Sequence, residues 1–85
     1  MTVEKALEIF NSYDSVYLPR DMFNGIVKAL YQAVELSTGD GDDICSFVIT
    51  KHTANRYTLS IAYCGYPVIY KSVDFTTHDD DQESE

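Results

Sequence analysis

Apolar residues recur at helical spacing over residues 2–13, where Val3, Ala6, Leu7 and Phe10 share one side and Glu4, Lys5, Glu8 and Asn11 lie elsewhere around the cylinder. Thr2 suits the N-cap, and Glu4 then falls in the first turn, where a negative charge is favourable. Turn formers from Asn11 to Ser15 end this helix. Val16-Tyr17-Leu18 is expected to be extended, because the residue before Pro19 is disfavoured in helix. Pro19 fits the first position of a second helix that runs to about Leu36. Its apolar stripe is Phe23, Ile26, Val27, Leu30 and Val34, with Asn24, Lys28, Gln32 and Glu35 opposite. Gly25 weakens that helix but permits a close crossing, and Gly39 is a stop signal.

The period then changes from 3.6 to 2. Ile44 to Lys51 reads as a strand with Cys45, Phe47 and Ile49 on one face, and His52 to Asn55 as a turn. Arg56 to Cys64 alternates most cleanly: Tyr57, Leu59, Ile61 and Tyr63 against Thr58, Ser60 and Ala62. Gly65-Tyr66-Pro67 is a second turn, and Val68 to Phe75 a third strand with Ile69, Val73 and Phe75 together. Short connections favour an antiparallel meander. The expected fold is α+β: two N-terminal helices packed on one face of a three-stranded antiparallel sheet. Residues 1–76 form the single domain and 77–85 a flexible, disordered acidic tail.

Charge changes the picture more than composition does. The chain of 85 residues has a formal net charge of −8. Asp40, Asp42, Asp43, Asp79, Asp80, Asp81, Glu83 and Glu85 supply all of it, since the remaining acids are matched in number by Lys and Arg. The negative field therefore belongs to one internal loop and the C-terminal end. Such a balance argues against nucleic acid or an anionic membrane as a direct ligand and for a basic partner. No apolar run approaches the length of a membrane span, and Met1-Thr-Val-Glu-Lys5 carries no signal-peptide pattern. The expected location is cytoplasmic.

Catalytic patterns are missing from the sequence: no glycine-rich phosphate loop, no Gly-x-Ser-x-Gly, no His-Glu-x-x-His and no Cys-x-x-Cys. His52 and His78 fall in an expected turn and the tail, where neither is held as a triad requires. The chain is expected not to be an enzyme, and no cofactor is expected. Asp40-Gly-Asp42-Asp43 opens like a calcium loop, but the fifth position is Ile44 and the twelfth Lys51, so the ligand pattern fails. Cys45 and Cys64 lack the spacing of a zinc site; they read as small packing residues, with a disulfide open to them if their strands pair.

Seven tyrosines stand beside the acids. Tyr57 and Tyr63 belong to the apolar strand face. Tyr31 lies on the polar side of the second helix, while Tyr66 and Tyr70 fall in or near the last turn. Tyrosine is enriched in interface cores, so Tyr31, Tyr66 and Tyr70 join Asp40, Asp42, Asp43, Asp79, Asp80, Asp81 and Glu83 as candidate partner-binding residues. Carboxylates spaced along a surface can stand in for backbone phosphates and compete for Arg and Lys that normally hold DNA or RNA. In size and composition the chain resembles the small acidic inhibitors that phages and mobile elements encode against restriction, CRISPR or repair enzymes. No diagnostic motif of a named family accompanies that resemblance.

The expected function is that of a small acidic inhibitor, a nucleic-acid mimic that blocks the basic groove of a DNA- or RNA-handling enzyme or defence complex. An immunity protein against a basic nuclease toxin needs the same complementary face. A small adaptor or assembly protein would act instead through the sheet face, decorated by Ser46, Val48, Thr58, Ser60, Val68 and Tyr70. That face, or an edge strand, leaves homodimerisation open. A winged-helix regulator is disfavoured, because the second helix offers only Arg20 and Lys28 to DNA.

Overall fold

The computed structural model describes residues 1–78. Two helices and four strands follow in the order α1 (Val3–Ser12), β1 (Ser15–Pro19), α2 (Arg20–Glu35), β2 (Ile44–Thr53), β3 (Arg56–Tyr63) and β4 (Ile69–His78). The Thr2 side chain accepts from the Lys5 N–H at the start of α1, as the sequence requires of a cap. Pro19 caps α2 rather than opening it, with an extended backbone (φ −61°, ψ 149°) and no side-chain hydrogen bond.

The α+β class is as expected, but the sheet has four strands and is mixed, in the order β1-β4-β3-β2. The strands β2, β3 and β4 form the antiparallel meander. The fourth strand is the short segment before Pro19, which pairs parallel to β4 with Val16 opposite Phe75 and Leu18 opposite Thr77. The expected three-stranded antiparallel sheet is corrected on this point. The cause is pairing at long range: β4 offered a free edge to a five-residue segment too short to declare itself by periodicity. β1 and β2 thus become the two edges of the sheet, and α2 carries the chain from one to the other.

Strand limits also move. His52 and Thr53 belong to β2, leaving Ala54 and Asn55 as the turn, and β4 continues to His78. Thr77, placed in the tail by its polarity, is buried; its N–H donates to the Asn55 carbonyl at 2.8 Å. The β2 register shifts between Ile44 and Ser46, so Ile44 rather than Cys45 joins the core, and Cys45 is exposed. A bulge there breaks the alternation that placed Cys45 with Phe47 and Ile49.

The helices cover one face of the sheet. Leu18, Ile44, Leu59, Ile61, Val73 and Phe75 meet Ala6 and Phe10 of α1 and Phe23, Ile26, Ala29 and Leu30 of α2. Phe75 is central, with ring centroids 6.2 Å from Phe10 and 5.7 Å from Phe23. Among the described residues no element covers the opposite face, which is largely polar. Thr58 pairs with Asp74 and Ser60 with Ser72 across β3 and β4, with Tyr17, Val48 and Tyr70 exposed around them. No helix among the described residues is long and apolar enough to cross a membrane.

A candidate binding surface at the acidic loop

Residues 36–43 close the crossover from α2 to β2, and residues 64–68 join β3 to β4. Both connections lie at the same end of the sheet, because β2 starts there, β3 ends there and β4 starts there. The acidic loop is thereby brought against the turn that carries Tyr66.

The loop is held by its own side chains. The Asp43 carboxylate accepts from the Thr38 N–H and the Thr38 hydroxyl, each at 2.9 Å through Oδ2. The Asp43 N–H donates to the Asp40 carbonyl at 2.9 Å, and the Asp43 carbonyl accepts from the Cys64 N–H at 2.8 Å. Gly39, at φ +92°, takes the left-handed conformation that an L side chain resists. Hydrogen bonds from Thr38 hold the Asp43 carboxyl below its ordinary value of 3.8, the backbone N–H contributing most. Asp43 is therefore an anchor.

Asp40 and Asp42 carry the outward charge. Thr38 Oγ1 also approaches Asp40 Oδ2 at 3.4 Å, but its single proton serves the shorter bond to Asp43. Asp42 is exposed and has no side-chain partner among the described residues.

The tyrosines divide. Tyr66 is fully exposed at the tip of the turn, followed by Val68 and by Ile69 at 60% exposure. Tyr70 is 76% exposed and stands on the uncovered sheet face beside Ala62. Tyr31 is on the helix side, its ring edge-on to Phe47 at a centroid distance of 4.9 Å. Asp40, Asp42, Asp43 and Tyr66 are thus brought together, Tyr70 borders them, and Tyr31 belongs to a different face. Asp79, Asp80, Asp81 and Glu83 lie outside the described residues. His78, the last described residue, lies at the far end of β4 from the loop, about 30 Å away at the rise of an extended strand.

A hollow beside the loop was not legible as a site. Leu7 and Asn11 of α1 face Tyr63 and Ile69 across it, with Gly41, Asp42 and Gly65 completing the lining around about 430 Å³. Asn11 and the Tyr63 hydroxyl are hydrogen bonded, with Nδ2 3.0 Å and Oδ1 3.2 Å from that oxygen. In sequence these residues looked like a helix end and a core strand.

On the uncovered face, Thr58 donates to Asp74 at 2.8 Å and lies 2.7 Å from His52 Nε2. The hydroxyl has one proton, so His52 must donate to it. That sense is opposite to the one a base-activated nucleophile needs. Among the described residues, no group of three His, Cys, Asp or Glu side chains could hold a metal ion. Comparison of the chain with protein-family models, with curated proteins and with solved structures returns no match.

Proposed function

We propose that this chain is a small acidic binding protein, located in the cytoplasm, that occupies the basic groove of a DNA- or RNA-handling enzyme or complex. The observation that carries the reading is the loop itself. Its outward carboxylates, Asp40 and Asp42, project from a backbone pinned by Asp43 and Cys64, beside the exposed Tyr66 and Ile69. A fixed pair of charges next to aromatic and aliphatic surface can meet Arg and Lys without ordering the loop on binding, which lowers the entropic cost of association. The groove of a restriction, CRISPR or repair enzyme and that of a nuclease toxin present the same chemistry to this surface.

The test is competition. A candidate basic enzyme is loaded with fluorescent DNA or RNA, and the protein is added at low and at moderate salt. Displacement that weakens as salt rises, and that is reduced when Asp40, Asp42 and Asp43 become Asn together, supports the reading. Binding that leaves the nucleic acid in place refutes it.

The uncovered sheet face favours a second reading, an adaptor or homodimer that packs through Val48, Tyr17 and Tyr70. Val48→Asp and Tyr70→Ala would then abolish association while the loop variants would not.

A further inference from the structure

We propose that the hollow between α1 and the acidic loop is a socket for one arginine side chain of the basic partner, with Asp42 as its carboxylate. The proposal rests on the reading of the loop as a contact for basic protein and names the residue type that anchors there.

Three observations converge. First, the lining is mixed in the way a guanidinium on an aliphatic stem requires. Leu7 and Ile69 offer apolar walls, the Tyr63 ring offers an aromatic one, and Asp42 supplies the single charge. Arginine lays its methylenes along apolar surface while its planar head pairs with a carboxylate and stacks on aromatic rings. Second, the Asp42 carboxylate has no side-chain partner among the described residues, whereas Asp43 is engaged by Thr38, Asp14 by Lys71 at 3.2 Å and Asp74 by Thr58. Third, Gly41 and Gly65 contribute backbone alone to the lining, so the loop and the turn meet closely at its edge.

Charge complementarity selects the occupant. A purely apolar side chain would leave Asp42 desolvated without a partner, and an acidic one would be repelled. Lysine would satisfy the charge but not the flat aromatic wall or the neighbouring Asn11 and Tyr63 oxygens, which suit several N–H donors held in one plane. Arginine is also prominent among residues that dominate binding at interface centres.

The test uses the full chain, isotope-labelled, titrated with acetyl-arginine-amide and, separately, acetyl-lysine-amide. Saturable shifts of the Leu7 and Ile69 methyl and Tyr63 ring signals are expected with the arginine compound, and weaker ones with the lysine compound. Asp42→Asn should weaken that binding about three- to fivefold, as for an exposed ion pair, while Asp40→Asn leaves it unchanged. Ile69→Ala, at a position already mostly exposed, should weaken it without unfolding the chain. Shifts spread evenly over all acidic residues, or indifferent to Asp42→Asn, would overturn the socket. If the socket fails while a basic partner still binds in a salt- and loop-dependent manner, the functional reading survives without it; if both fail, that reading falls as well.

Discussion

Gly41 of the acidic loop and Gly65 of the β3–β4 turn meet backbone to backbone: a Cβ built on either stands 3.6 Å from the Cα of the other. That spacing is ordinary van der Waals contact, so one methyl fits, while the further carbons of a branched side chain are expected to crowd the facing backbone. Gly41→Ala should be nearly neutral, whereas Gly41→Val should cost about 1–3 kcal/mol by forcing the two connections apart. Urea unfolding of the two variants checks this; equal midpoints would show that the loop and turn are not in contact.

Asp42 and Asp43 are adjacent in sequence but have different work. Asp43→Ala removes the acceptor for both Thr38 donors and should lower the unfolding midpoint, while Asp42→Ala should leave stability unchanged and weaken binding to a basic partner. Because the folded-state value of Asp43 is depressed, its contribution is complete above the unfolded carboxylate value near 3.8 and is lost as pH falls through the lower folded value. Stability measured from neutral pH downward should therefore fall less steeply below pH 3.8 in Asp43→Asn than in the parent. Identical acid profiles would contradict the anchor role.

Phe75 joins the two helices to the sheet through two aromatic contacts. Phe75 lies between Phe10 and Phe23, so Phe75→Ala should cost about 3–5 kcal/mol. In so small a domain that is a large part of the total stability, and the variant should be mostly unfolded at room temperature by circular dichroism. A cooperative transition near the parent midpoint would show that the packing is looser than described.

Loss of hydration and the neighbouring Cys64 thiol push the Cys45 thiol above its ordinary value of 9.0. At pH 8 less of it is thiolate than in an unperturbed cysteine. Alkylation of Cys45 should be slower than that of a model thiol at this pH despite its exposure, and should still be rising above pH 9. A rate equal to the model thiol would refute the perturbation.

Much of the fold could be read from periodicity. The stripe from Phe23 to Val34 and the alternation from Tyr57 to Tyr63 each declare their buried side, and both are where they were expected. What periodicity could not carry was pairing between distant segments. Val16 and Leu18 find Phe75 and Thr77 nearly sixty residues away, and nothing local to Ser15–Pro19 distinguishes a parallel edge strand from a linker. The bulge at Cys45 has the same origin, since it is a property of register rather than of residue type. For the candidate site, the charge of Asp40, Asp42 and Asp43 was plain, but their division into anchor and outward charge depends on where Thr38 points. Tyr31 is exposed, in keeping with its polar helix neighbours, but the Phe47 ring packed near-perpendicular to it comes from another element and could not be read from the helix alone.

The most direct measurement is the affinity for a purified basic nucleic-acid-binding partner, by titration calorimetry at about 50 and about 200 mM salt, for the parent and for Asp40→Asn with Asp42→Asn. The parent should weaken about tenfold or more across that range, and the double variant should bind more weakly at low salt with a shallower dependence. An affinity indifferent both to salt and to those two carboxylates would contradict the assignment of binding to the acidic loop.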